Sequence, residues 1–278
     1  MNTTPLTPNT PSLSVIVITK NEAARLPTCL TSVAFADELI VVDAGSTDGT
    51  ADLARQMGAR VIETHDWPGF GPQKQRALAA ATGTWVLSLD ADEWLDSELA
   101  AAIRSVVASE GHCDAANGPP GLAGYAVGRM SAFCGQWMRA GSWYPDLGVR
   151  LFRRGRARFS DDQVHERLLL DGPSGRLPGL LLHNSITSLH DGLDKMNRYT
   201  TGRAADQRGR GRRGGLTAAI GHGLWAFIRS YWLRQGFRDG RLGFVLAMLD
   251  AQASCNRYLK LWLDGRPQPH DLPPPRRR

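Results

Sequence analysis

Short β-branched runs alternate with helical segments through the first hundred residues, and this alternation constrains the fold more than any other feature. Leu13 to Thr19 reads LSVIVIT, a β-branched run typical of a buried strand. Glu22 to Phe35 follows with Leu26, Leu30 and Val33 at helical spacing. Leu39 to Val42 predicts a second strand, ending at Asp43. Gly45-Ser46-Thr47-Asp48 carries turn and N-cap chemistry and opens a helix through Met57, which Gly58 stops. Arg60 to Glu63 predicts a third strand, Trp67 to Pro72 a Gly/Pro loop, Gln73 to Ala81 a helix and Thr84 to Leu89 a fourth strand. Strands joined through helices pair in parallel by right-handed crossovers. The first half therefore predicts an α/β domain with a mostly parallel central sheet.

The pattern changes after Gly111 to Gly124, a stretch rich in Gly, Pro and Asn that reads as a loop. Tyr125 to Met130, Val149 to Arg153, Arg158 to Ser160 and Leu177 to Leu182 are strand candidates. From Leu193 the signals are helical, interrupted at Gly209 to Gly215, where glycine is too frequent for a stable helix. Leu216 to Leu233 and Leu242 to Leu263 predict a C-terminal helical extension. Residues 1–12, polar and rich in Pro and Thr, predict a flexible N-terminus without a signal pattern, and residues 266–278 a disordered basic tail.

Net charge is +6, and the excess collects at Arg203 to Arg213 and Arg276 to Arg278. Membrane headgroups, nucleic acid or a solvated flexible loop would each account for such clusters. No nucleic-acid motif accompanies the charge, so no nucleic-acid partner is expected. Trp225, Phe227, Tyr231, Trp232, Phe244 and Trp262 lie among arginines, the composition of an interfacial amphipathic helix. A helical pair packing on the rest of the chain or forming a dimer is the competing reading. No apolar run reaches the ~18 residues of a spanning helix; Ala218 to Leu233 is broken by His222 and Arg229. Cys29, Cys113, Cys134 and Cys255 lack CxxC spacing, which argues against a zinc site or disulfide framework and fits a reducing cytoplasm.

The chemistry concentrates at Asp90-Ala91-Asp92-Glu93, directly after the fourth strand. Open α/β sheets bind ligands at strand carboxyl ends. If the strand geometry persists, Asp90 and Asp92 point to one side. Neighbouring carboxylates repel each other, and Mg²⁺ or Mn²⁺ both relieves that and shares oxygen ligands with phosphate. The alternative is an acidic helix entry near Asp96. Three further segments end at the same edge: Thr19-Lys20-Asn21-Glu22, Asp43 to Thr50 (DAGSTDGT) and Gly69 to Lys74 (GFGPQK).

This ordered set resembles family 2 glycosyltransferases with the GT-A fold, inverting enzymes that use nucleotide-diphosphate sugars. The match covers about residues 13–110. Within the family the chain is similar to bacterial β-1,4-glucosyltransferases of lipopolysaccharide and lipooligosaccharide core synthesis. They share the TKNE, GSTDGT, GFGxQK and LDADE segments, and later ones that here read Val149 to Gly155 (VRLFRRG) and Val164-His165-Glu166.

The resemblance implies a GT-A catalytic domain over 13–192, with a nucleotide-sugar-binding half (13–110) and an acceptor half (111–192). Residues 193–265 would form the helical region, for which the composition of aromatics beside arginines leaves membrane association and helical packing or dimerisation both open. The resemblance implies that Asp43 accepts a hydrogen bond from the uracil imide and that Thr19 and Glu22 border the nucleoside. Asp90 would lie near the ribose or the metal's hydration shell, and Asp92 would be the principal ligand of Mg²⁺ or Mn²⁺. Lys74 either adds positive charge at the nucleotide or is a solvated lysine on a first helical turn. His183, ahead of His190, would complete the metal shell or be only hydrogen-bonded. Glu166 is the first choice for the base that deprotonates the acceptor, followed by Asp162, with Asp161 and His165 in the same segment; an exposed acidic turn is the alternative. Trp137, Trp143 and Tyr144 would stack on sugar rings or pack in the core. The activity implied is glucose transfer from UDP-glucose to a heptose of a lipid-anchored lipopolysaccharide core, at the cytoplasmic face of the inner membrane. Another donor or glycan acceptor, and a non-catalytic nucleotide-sugar-binding scaffold, are the alternatives.

Overall fold

The computed structural model describes residues 12–109, 121–160, 166–264 and 266. Asp161, Asp162, His165 and Cys113 lie outside them, as do nearly all of the N-terminal and C-terminal tails. The chain divides into two compact units, one of residues 1–131 and 145–185, the other of 132–144 and 186–278.

The first unit opens with β1 (Leu13–Thr19), α1 (Leu26–Ser32), β2 (Glu38–Asp43), α2 (Thr50–Gln56) and β3 (Arg60–Glu63). It continues with α3 (Phe70–Ala80), β4 (Trp85–Asp90), β5 (Glu93–Leu95) and α4 (Ser97–Ser109). Next come β6 (Gly124–Phe133), whose end passes into the second unit, and β7 (Gln136–Trp137), which pairs with that end. The unit is completed by β8 (Asp146–Arg153), β9 (Ala157–Phe159), β10 (Leu168–Leu170) and β11 (Ser174–Ile186). Strand order in the main sheet is β3-β2-β1-β4-β8-β6-β11-β5. Pairing is parallel from β3 to β4, as the strand–helix alternation requires, and antiparallel at β4–β8, β8–β6 and β11–β5. No long helix stands between β6 and β8, so these two strands return alongside one another in opposite directions.

Side-chain alternation along β1 builds two cores. Val15 and Val17 join Leu26, Leu30, Leu87, Leu89 and Ile103 on one face, while Ile16 and Ile18 join Ile40, Val42, Ala77, Leu78 and Phe152 on the other. Burial on both faces explains why Val15 to Ile18 is apolar throughout rather than alternating. Each such side chain contributes about 1.5–3 kcal/mol.

Helix α1 is shorter than the periodicity suggests. Pro27 occupies its first turn, and the residues before it form a turn in which Asn21 takes a left-handed conformation. Helix α3 begins earlier than expected and takes in half of the Gly/Pro segment, because a proline in a first turn forfeits no helical hydrogen bond. The second unit holds α5 (Leu189–Gly209), α6 (Leu216–Ile228), a π-helical turn at Arg229–Leu233, a short 3₁₀ turn at Gly236–Asp239 and α7 (Gly240–Leu263).

Candidate active site

The parallel strands β1, β2 and β4 end together. Register pairs Thr19 with Asp43 and Ile18 with Asp90, so three polar side chains arrive at one edge where the strand order reverses. The TKNE and GSTDGT turns are bonded to each other there. The Asn21 and Glu22 N–H groups donate to the Ser46 and Thr50 hydroxyls at 2.8 and 2.9 Å, and the Thr47 N–H donates to Asn21 Oδ1 at 2.8 Å. Asp48 accepts from the Ala23 and Thr50 N–H groups. Gly49, at φ +87°, allows the sharp entry into α2.

Asp43 is buried and orders this edge. Its carboxylate accepts from the Thr19 hydroxyl at 2.9 Å, from the Ser46 N–H at 2.8 Å and from the Ser46 hydroxyl. That occupies three of roughly four acceptor positions on a carboxylate. Glu22 is half-buried and pairs with Arg25 at 3.2 Å.

The acidic cluster does not continue as a strand. Asp90 closes β4, Ala91 and Asp92 form a turn, and Glu93 starts β5, so its three carboxylates diverge into separate roles. Lys74 Nζ lies 2.8 Å from Asp90 and 2.8 Å from Glu166. It belongs to the buried stripe of α3 with Gly71, Ala77 and Leu78, which rules out the solvated-lysine reading. Burial pulls the Lys74 ammonium toward neutrality, but Asp90 and Glu166 outweigh it and keep the proton bound. Burial likewise pushes the Asp90 carboxyl up, and the charges of Lys74 and Arg150 overcome it, holding Asp90 well below the usual carboxylate range. Glu166 is placed by its neighbours: Arg167 and Ser160 exchange two hydrogen bonds of 2.9 Å.

Glu93 is fully buried. One of its oxygens accepts the Asp90 N–H at 2.9 Å, and the other receives Arg150 at 2.8 Å and Arg129 at 3.2 Å. Arg129 also pairs with Asp146 at 2.6 Å. Neither arginine stood out in the sequence as a site residue. A cavity of about 490 Å³ opens over this network, lined by Lys74, Asp90, Arg129, Arg150, Glu166 and Arg167 among others.

Asp92 faces His183, the residue of β11 that registers with Glu93 of β5. The imidazole Nε2 is 3.3 Å from the Asp92 carboxylate, and Nδ1 is 3.0 Å from the Ser131 hydroxyl, which fixes the ring. His190 lies on α5 beside Asp194. Among the described residues no group of three His, Cys, Asp or Glu side chains could hold a metal alone. One carboxylate and one imidazole do fit a divalent ion that completes its shell with phosphate oxygens and water. Charge agrees: the carboxylates of Asp90, Asp92, Glu93, Asp146 and Glu166 outnumber the cations Lys74, Arg129, Arg150 and Arg167.

Residues 14–111 match the family model described as glycosyl transferase family 2. The chain is 31% identical over 245 residues to the lipopolysaccharide core biosynthesis glycosyltransferase LpsC of Rhizobium meliloti, spanning 86% of this chain and 87% of that protein. The chain belongs to glycosyl transferase family 2. A second relative of this glycosyltransferase, an uncharacterised glycosyltransferase of Rickettsia typhi, is 31% identical over 260 residues, 90% of this chain and 86% of its own. The mannosyltransferase PcManGT from Pyrobaculum calidifontis, solved with GDP-Man and Mn²⁺, aligns over 92% of this chain and 88% of its own with a TM-score of 0.52. At 16% identity that likeness speaks to the fold, which is the GT-A arrangement expected from the motifs. Among the described residues no helix of this glycosyltransferase is long and apolar enough to cross a membrane.

Proposed function

We propose that this glycosyltransferase moves glucose from UDP-glucose to a heptose of a lipopolysaccharide core, with inversion at the anomeric carbon. The observation that carries the reading is the edge where Thr19, Asp43 and Asp90 close adjacent parallel strands, with Asp92 and His183 paired beside them. The relative LpsC supports the acceptor class, and the enzyme would meet such an acceptor at the cytoplasmic face of the inner membrane.

In this reading Asp43 offers its remaining acceptor position to the uracil imide, with Thr19 and Glu22 beside the nucleoside. Asp92 and His183 hold Mg²⁺ or Mn²⁺, which supplies positive charge to the diphosphate. Lys74 adds a fixed charge in a buried setting, where it acts at reduced dielectric. Glu166 is the base: it takes the proton of the acceptor hydroxyl as that oxygen bonds to the anomeric carbon and the bond to UDP breaks. No covalent intermediate forms. Asp162 remains the next choice for the base and lies outside the described residues.

The test is incubation with UDP-glucose, Mg²⁺ or Mn²⁺ and truncated core lipopolysaccharide, following UDP release and the anomeric configuration of the product. Asp92→Ala should abolish transfer, and Glu166→Gln should lower turnover about 10²–10⁴-fold with UDP affinity preserved. Full transfer after chelation would overturn the metal role. Near-normal turnover in Glu166→Gln would move the base to Asp162.

A further inference from the structure

Helix α6 carries its large residues on the wrong side for a helix in water. The side chains it buries are small, Ala219 and Gly223, and its exposed ones are Leu216, Ile220, Leu224 and Trp225. Leu216, Ile220 and Leu224 recur every fourth residue and form one stripe. Ile220 and Leu224 are 59% and 60% exposed, values normally taken by polar residues. Gly223 explains the inversion: a Cβ there would stand 3.2 Å from the Ala251 carbonyl and 3.3 Å from Cys255 Cβ, so α6 lies close on α7 through its small face. The apolar surface continues past the helix. Phe227, Tyr231, Trp232, Phe237 and Phe244 form a mutually packed aromatic cluster, of which Trp232, Phe237 and Phe244 are exposed.

Charge decides what this surface meets. From Gly209 to Leu263 there are nine lysines and arginines, and the acidic residues are Asp239 and Asp250. Both carboxylates are engaged internally: Asp239 accepts the Arg139 and Ala140 N–H groups, and Asp250 the Ser142 and Ser230 hydroxyls. Arg229, Arg234, Arg238 and Arg241 are exposed along the same stretch. A second copy of the chain would bring like charges together around the apolar stripe. An anionic bilayer instead accepts Leu and Ile in its acyl boundary, Trp at the headgroup level and arginine at the phosphates.

We propose that the outer face of α6 and the aromatic turn after it seat on an anionic lipid surface, lying in the interface rather than crossing it. The inference is independent of which donor and acceptor the enzyme uses.

The test is flotation of the full-length protein with vesicles of phosphatidylcholine alone or containing about one-third phosphatidylglycerol, free of any glycan. Binding is expected to the anionic vesicles, to weaken with salt and to shift tryptophan fluorescence to the blue. Ile220→Ser/Leu224→Ser should reduce partitioning at least about tenfold, with circular dichroism unchanged. Arg229→Gln/Arg238→Gln/Arg241→Gln should erase the preference for anionic vesicles, at about fivefold per charge. A wild-type protein that stays behind with both vesicle types would overturn the proposal, as would unaltered binding of the apolar double variant. A solution dimer dispersed by Ile220→Ser/Leu224→Ser would instead assign the face to a second copy.

Discussion

Replacing Lys74 by methionine removes the cation between Asp90 and Glu166 while nearly keeping its volume. The Lys74 side chain is 4% exposed, whereas those of Asp90 and Glu166 keep 33% and 20%. Breaking a buried pair by deleting one partner costs about 3–5 kcal/mol. Partial hydration of both carboxylates, and Arg150 standing 3.9 Å from Asp90, lower the expected cost to roughly 2–3 kcal/mol at pH 7.5. For a chain of this size that is a fall of roughly 5–10 °C in thermal midpoint. The pH dependence is the sharper test. In the wild type Asp90 is depressed, so its stabilising contribution is present above the unfolded carboxylate value and is lost as pH falls from there toward its folded value. In the variant burial dominates and raises Asp90, so the ionised form becomes a burden that acidification relieves. The gap should therefore be widest above pH 7, narrow as the variant's Asp90 takes up its proton, and close only below pH 4, where the wild type loses its own contribution, in melts followed by circular dichroism. A gap that stays constant between pH 7.5 and 4.5, or a variant as stable as wild type at pH 7.5, would refute the shared-ammonium account.

Three other substitutions probe separate parts of the site. Glu93→Gln withdraws a fully buried charge from Arg129 and Arg150 and should cost about 3–5 kcal/mol, read from chemical denaturation; a loss below about 1 kcal/mol would show that the arginines do not depend on it. Asp43→Asn keeps an oxygen for the Ser46 N–H, so stability should change by less than about 1 kcal/mol, while UDP affinity by calorimetry should fall about tenfold. An unchanged affinity would remove Asp43 from nucleotide recognition. Gly179→Ala puts a Cβ 2.2 Å from the backbone nitrogen of Leu99 at φ +82°, and should destabilise by about 4 kcal/mol or more; a midpoint within about 2 °C of wild type would contradict the packing of β11 on α4.

The legible part of the site is the part that local sequence can specify. Thr19, Asp43 and Asp90 each terminate a short apolar run, and one rule about parallel sheets brings such ends together. His183 could be named, but only register across β5 and β11 makes it the neighbour of Asp92. The straight-strand extrapolation through Asp90 and Asp92 fails because the chain turns at Ala91, and side-chain alternation ends where extended geometry does. Lys74 was readable in principle: Ala77 and Leu78 lie three and four positions on, the spacing of one helical face.

Arg129 and Arg150 were not legible in that way, although each sits in a strand that periodicity found. A strand pattern says which face a residue occupies, and says nothing about the partner it meets there. Arg150 reads as a charged interruption in VRLF, and its burial makes sense only once Glu93, 57 residues earlier, is folded against it. The same network explains why the acidic cluster survives the interior at all. Glu93 spends its charge on two arginines and grips the Asp90 N–H, which leaves the Asp90 side chain to Lys74 and Asp92 to His183. Three adjacent carboxylates are thus divided among three sets of partners, and each partner comes from a different element: α3, β6 with β8, and β11. Docking of those elements and ionisation of the cluster therefore stabilise one another, so the later strands β6, β8 and β11 are a structural precondition for the arrangement of the carboxylates written in the first hundred residues.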